Sequence, residues 1–334
     1  MEPSTYRKIF RDIINGYSPA EVAGQSYYVK HLSSLDQVDI DDYRKIYYDQ
    51  AVARGIPTEE EVKKDLEKDG VWTKEDELEI SKLERFVEQL IKNKSQILLK
   101  SKLDQQNKTI ESTRKKIEEL KIKKIELLGV NAEGYADKRS NDYYIIKSFY
   151  HDKELTKLVF ETESDYNELY GDEIVGFIKC YNEIFMNFEE KVIQTMILQD
   201  FYYIYFPFCD DTVGFFGHPV SKLTYNQLKL IVYTKIFKGI LENNAHIPDK
   251  IKKDPQALLD YGNISDEAKT KMQQQMSSDK DASTLFGATD EDYEYAGLSK
   301  PSDSTKISLH KAAEKKGGSL SMEDLMELSG HRSK

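Results

Sequence analysis

Apolar residues recur at seven-residue spacing through KLERFVEQLIKNKSQILLKSKLDQQNKTIESTRKKIEELKIKKIELL, which holds no proline and stops at Gly129. Leu83, Leu90 and Ile97 form one series, with Val87 between them. Leu103, Ile110 and Ile117 form a second, and Leu120 and Leu127 take its alternate seam position. The two series are out of phase near Gln96 to Leu103. A single coiled coil keeps one phase. The spacing therefore predicts either a helix with a phase break or two helices folding back on each other near Asp104–Thr109. Thr73 followed by Asp76 is a capping-box-like start for this element. Self-association through such a coiled coil is a further expectation.

The pattern divides the rest of the chain into three parts. Residues 1–72 read as a small α+β region, and 73–128 as the coiled coil or helical hairpin. Within the first part, Val22, Ala23-Gly24-Gln25 and Tyr27-Tyr28-Val29 predict a β-hairpin with a glycine turn. Ser33 or Ser34 caps a following helix whose apolar face carries Val38, Tyr43, Ile46 and Tyr47. Gly55 ends that helix and Pro57 bars its continuation. Thr58 and the acids after it open another. Residues 129–262 read as an aromatic-rich helical domain. Its segment VIQTMILQDFYYIYFPF is apolar nearly all round and predicts one buried central helix. Thr224 caps a helix over Thr224–Leu241, and Asp254-Pro255 opens a last one.

Residues 263–334 read as a flexible tail, polar and serine-rich. After Gly317-Gly318 it ends in SLSMEDLMELSG, where Ser321 offers a cap and Leu320, Met322, Leu325 and Met326 an apolar face. So short a helix is marginal alone in water. It predicts docking to a partner, or folding back onto the body. The loop GFFGHP, with Phe215 and Phe216, reads as an aromatic plug of a core or a second partner contact. The expected fold is thus mainly α, with an N-terminal β-hairpin, the coiled coil or helical hairpin, the aromatic helical domain and a disordered C-terminal tail.

Charge and chemistry narrow the function. The 334-residue chain has net charge −11. The segment from Lys82 to Leu128 opposes this with 13 Lys or Arg against 7 Asp or Glu. No aromatic interleaves with its lysines after Phe86, so stacking platforms for nucleic acid are missing and that partner is disfavoured. Cys180 and Cys209 lack CxxC spacing; they read as buried small hydrophobes in a reducing cytoplasm. MEPSTYRKIFRDIING has no apolar core of a signal peptide. The most apolar run, Ile193–Phe208, is interrupted by Gln199 and Asp200 and is too short for a bilayer, so no membrane contact is expected. No phosphate-loop, dinucleotide or nucleophile-elbow motif occurs, and His31, His151, His218 and His246 form no metal-binding pair. Asp210-Asp211 before Gly214 lacks the side-chain oxygens of a calcium loop. The chain reads as non-enzymatic, without catalytic residue, metal or cofactor.

Eight stretches carry a likeness: YYVKHLSSLD (Tyr27–Asp36), ARGIPTEEE (Ala53–Glu61), VWTKEDELEI (Val71–Ile80), LLGVNAEGYADKRSNDYY (Leu127–Tyr144), FFGHPVSKLTYNQL (Phe215–Leu228), IPDKIKKDPQALLDY (Ile247–Tyr261), GATDEDYEYAGL (Gly287–Leu298) and GGSLSMEDLM (Gly317–Met326). In these and in the order of its elements the chain resembles a group of uncharacterised or tail-assembly proteins of large T4-like tailed bacteriophages. The resemblance implies a non-enzymatic part in building the tail or baseplate hub. The chain would act as a chaperone or scaffold for a helical client such as the tape measure, or as a subunit retained in the virion tail. A cytoplasmic coiled-coil scaffold unrelated to tails is the remaining alternative. The implied place is the host cytoplasm during assembly, or the finished tail.

Overall fold

Three consecutive helix starts in the first half of the chain are set by the same short-range chemistry. The computed structural model of the protein describes residues 1–97, 99–244 and 247–264. Helix α1 (Pro3–Asn15) begins on a proline and ends at Gly16, whose φ of 73° lets its N–H reach the Asp12 and Ile13 carbonyls. Strands β1 (Tyr17–Val22) and β2 (Gln25–Lys30) pair through a two-residue turn, Ala23-Gly24, in which both residues have positive φ. Helices α2 (Ser34–Ala53), α3 (Glu59–Lys68) and α4 (Lys74–Asn93) each open with a reciprocal capping box. The pairs are Ser33 with Asp36, Thr58 with Glu61 and Thr73 with Asp76.

After α4 the chain makes one 3₁₀ turn, Lys94–Gln96, and returns as α5 (Lys100–Leu128). The segment is therefore a helical hairpin, and the fold-back lies at Lys94–Leu99 rather than near Asp104–Thr109. The phase break marks the turn, because one series of apolar residues ends at Ile97 and the next begins at Leu103. Residues 104–109 sit inside the first turns of α5, where Thr109 Oγ1 donates to the Gln105 carbonyl at 3.0 Å. Val87 of α4 and Ile110 and Ile117 of α5 are buried in the seam, with Leu83, Leu90, Leu120 and Leu127 half-buried around them. Trp72 closes one end, its indole N–H donating to Glu77 at 3.0 Å. Ile97 and Leu103 leave the seam and pack into the body instead.

The hairpin is tied to the body at both ends. At the fold-back, Lys94 pairs with Asp260 at 2.5 Å, and Asn107 donates to the same carboxylate at 3.0 Å. Asp260 is buried, and these donors satisfy it together with the Gln256 side-chain amide, which donates at 2.8 Å. At the far end Lys124 pairs with Glu77 at 2.8 Å and with Glu59 of α3 at 3.8 Å.

Next come α6 (Ala132–Ser148), the two-residue strand β3 (Phe149–Tyr150), α7 (Glu163–Asn167) and α8 (Gly171–Met186). β3 adds to β2 through the pairs Tyr28↔Tyr150 and Val29↔Phe149, giving a three-stranded antiparallel sheet. Around it Val22, Tyr27, Val29, Ile146, Phe149 and Phe177 form one core. On α2 the buried line is Ile40, Tyr47 and Ala51, while Val38 and Ile46 face solvent, contrary to the expected face. The line is set by α6: Tyr43 stacks on Tyr143 with ring centroids 4.0 Å apart, which turns Val38 and Ile46 outward.

The segment VIQTMILQDFYYIYFPF is not one helix. It splits into α9 (Glu190–Ile197) and a 3₁₀ stretch, Asp200–Asp210, with Gln199 extended between them. Pro207 has no N–H to donate, and its ring would clash with the carbonyl four residues back in an α-helix. Helices α10 (Thr212–Phe216), α11 (Tyr225–Asn243), α12 (Asp249–Lys252) and α13 (Pro255–Gly262) complete the described chain. The larger core joins Ile9 and Ile13 of α1 to Ile193, Met196, Tyr202, Leu230, Phe237 and Leu258. The packing thus crosses the sequence boundaries: α1 and Leu103 both belong to the core of the C-terminal helices. Cys209 is buried and Cys180 partly so, both as free thiols. The expected tail, from residue 265 onward, lies outside the described residues.

Candidate functional site

An apolar groove of about 560 Å³ opens where α1, the 3₁₀ stretch and α10 meet. Phe10 and Ile14 form one wall, Tyr205, Pro207 and Phe208 the second, and Gly214 and Phe215 the third. The walls are rigid because the rings brace each other. Phe10 lies 4.7 Å from Tyr205 and 5.4 Å, edge-on, from buried Tyr202; Phe215 meets Tyr205 edge-on at 6.1 Å. Tyr202 is itself fixed by a 2.8 Å hydrogen bond between its hydroxyl and Thr234.

Of the lining side chains Phe208 is 61% exposed, and on the same elements, outside the lining, Ile204 is 67% and Val213 51% exposed. The polar lining residue Asp211 is already engaged: its carboxylate caps α10 by accepting from the Gly214 N–H at 2.9 Å. A Cβ at Gly214 would sit 2.3 Å from the Asp211 carboxylate, so a larger residue there would displace the cap. Behind Phe10, the Arg7 guanidinium lies 5.6 Å from the Phe201 ring, which packs on Phe10.

The sequence-derived contact residues separate here. Phe215 lines the groove, and Phe216 packs edge-on against it at 4.9 Å with His218 beyond. The hairpin seam residues are spent inside the hairpin or, for Ile97 and Leu103, inside the body. Leu320, Met322, Leu325 and Met326 lie outside the described residues. Sequence reading missed Phe10, Tyr205 and Phe208. The signal for Phe208 was present: an aromatic run interrupted by proline cannot bury every face.

A second arrangement has the look of chemistry. Ser18 Oγ lies 2.9 Å from His31 Nε2, and both residues are buried beside a smaller cleft of about 210 Å³ lined by Ser18, Asp12, Lys8 and Arg11. Burial lowers the His31 pKa from 6.5 to about 3, so the ring is a poor proton acceptor at neutral pH. His31 Nδ1 has no hydrogen-bond partner among the described residues, so nothing orients the ring as a triad carboxylate would. Asp12 lies in the same cleft, its carboxyl pKa raised chiefly by burial. The pair ties β1 to β2, and His31 packs edge-on against Phe188 at 4.5 Å.

Among the described residues no cluster of His, Cys, Asp or Glu is placed to hold a metal ion. No described helix is long and apolar enough to cross a membrane. Comparison with known protein families, with curated proteins and with solved structures finds no match to this chain.

Proposed function

We propose that this chain is a non-enzymatic assembly protein for the tail or baseplate hub of a large tailed bacteriophage. It acts in the host cytoplasm as a chaperone or scaffold for a helical client such as the tape measure. The sequence resemblance suggests the setting, and the aromatic groove carries the reading. A groove of this size is ample for a small ligand, but such sites pair apolar walls with a few converging polar groups. Here the one lining carboxylate is taken up as a helix cap. What remains suits the apolar side chains of an amphipathic helix, read as anchors three and four residues apart.

The test is co-expression with the tape-measure and hub proteins of the same phage, followed by affinity capture. Wild-type chain should retain one of them, and Phe208→Glu combined with Ile204→Glu should cut retention at least tenfold without lowering the melting temperature. Equal retention by the double variant, or capture of neither protein, would overturn the reading. Virion proteomics separates the two roles. A chaperone is absent from finished particles, whereas stoichiometric presence replaces that role with a structural one.

A further inference from the structure

The 3₁₀ stretch Asp200–Asp210 runs for 11 residues, whereas 3₁₀ runs beyond three or four residues are uncommon. Its bonding opens with the Tyr202 N–H, which donates to the Gln199 carbonyl three residues back at 2.9 Å. With three residues per turn, side chains three apart eclipse, so the stretch presents three rows. Ile204, Pro207 and Asp210 form an exposed row. Tyr203, Phe206 and Cys209 form a second, which turns inward until Phe206 and Cys209 are buried. Tyr202, Tyr205 and Phe208 form a third, which climbs from the core to the surface. Tyr202 is fully buried, Tyr205 packs on it with ring centroids 5.6 Å apart, and Phe208 stands exposed. The last two members of that row line the groove together.

The same residues have an α-helical alternative. Tyr202, Tyr205, Phe206 and Cys209 are spaced i, i+3, i+4 and i+7, the apolar stripe of an amphipathic α-helix. In that geometry Tyr205 turns inward with the other three and leaves the groove wall. Pro207 opposes it. The proline has no N–H for the Tyr203 carbonyl, its ring clashes with that carbonyl, and it disfavours α geometry at Phe206. We infer that Pro207 is a positioning residue of the client site: by denying the α-helical alternative it keeps Tyr205 beside Phe208 on the groove wall. The inference rests on the groove being a helix-binding site, as proposed above. Pro207 also lines the groove, so its own contact with a client has to be told apart from its effect on the rings.

Pro207→Ala and Pro207→Gly make that separation, because both remove the ring and restore the N–H. Alanine is the best helix former and glycine among the worst, so α geometry should take over further with alanine. Capture of the tape-measure or hub protein should fall at least fivefold with alanine and less with glycine, although alanine gives the higher melting temperature. Loss of the ring's own contact orders the two the other way, since alanine keeps more apolar surface. Equal capture by the two variants, weaker capture by Pro207→Gly, or wild-type capture by Pro207→Ala overturns the inference. Nuclear Overhauser contacts in client-free protein with labelled tyrosine and phenylalanine read the geometry itself. Between residues 200 and 210, wild type should show Hα to N–H contacts two residues apart, and Pro207→Ala contacts four apart. The same contacts in both proteins overturn the inference even where capture falls. The two readings fail differently. Wild type that captures neither protein removes the client site and this inference with it. A client captured equally by wild type and Pro207→Ala removes the inference alone.

Discussion

The helical hairpin and the 3₁₀ stretch handle apolar residues in opposite ways. In the hairpin, apolar side chains recur with the helical period and close on each other; Val87, Ile110 and Ile117 are buried, flanked by surface ion pairs such as Lys116–Glu79 at 2.6 Å. In the 3₁₀ stretch nearly every residue is aromatic or aliphatic, and one core can take only one side of it. Tyr202, Phe206 and Cys209 go in, Tyr205 lines the groove, and Ile204 and Phe208 stay out. A periodic pattern spends its hydrophobicity on folding. A run apolar on all sides leaves a surplus at the surface, and the proposed function rests on that surplus.

The largest expected effect lies at the buried side of the 3₁₀ stretch. Tyr202→Ala removes a fully buried ring that braces Phe10 and bonds Thr234. It should lower unfolding free energy by about 3–5 kcal/mol, measured by urea denaturation. A loss under about 1.5 kcal/mol would mean that the ring is not part of a packed core. In the hairpin, Ile117→Asp places an unpaired charge in a seam that only two helices enclose. A loss of about 3 kcal/mol is expected, and unchanged helicity and melting temperature would rule out a packed seam.

A third prediction sets the sheet-side packing against both. His31 has a folded pKa near 3, below its unfolded value of 6.5, because burial disfavours the charged ring. The unfolded chain therefore binds the extra proton between these values. The stabilising contribution is complete above pH 6.5 and is lost as pH falls toward 3, by about 1.4 kcal/mol per pH unit. Between pH 6.5 and 4.5 the wild type should lose about 2–3 kcal/mol more than His31→Gln, which keeps a donor for Ser18 but does not titrate. Parallel pH profiles for the two proteins would show that His31 is hydrated or already charged in the fold.

Much of the local architecture was legible in the sequence because it is set within a few residues. Ser33, Thr58, Thr73 and Thr224 each cap through a partner three positions on. The glycine-turn hairpin likewise follows from spacing, as do the seam positions Leu83, Val87, Leu90, Ile110, Ile117, Leu120 and Leu127; Ile97 and Leu103 had the same spacing but pack into the body, and spacing left a broken helix and a hairpin both open. The remainder depends on contacts across the chain. β3 is two residues long and pairs only because α6 delivers it to β2. The anchoring of the hairpin at Asp260 needs Lys94 and Asn107, which no local pattern connects to α13. Only Phe215 of the groove was legible. Phe10 looks like an ordinary core face of α1, and Tyr205 and Phe208 were hidden in a run that reads as one buried helix until Gln199 and Pro207 break it.

The smallest expected effect is the sharpest probe of the comparison, because two phenylalanines two residues apart should behave oppositely. Phe206 is 9% exposed and belongs to the main core, whereas Phe208 is 61% exposed on the groove. Phe206→Ser should cost about 3 kcal/mol, the scale for emptying a buried aromatic site. Phe208→Ser removes a ring that the folded body leaves largely in water, so little transfer free energy is at stake. Its effect on unfolding free energy should stay within about 1 kcal/mol. Urea denaturation of the two variants side by side decides it. A loss above about 2 kcal/mol for Phe208→Ser would place that ring inside the fold and leave no free groove wall for a partner helix.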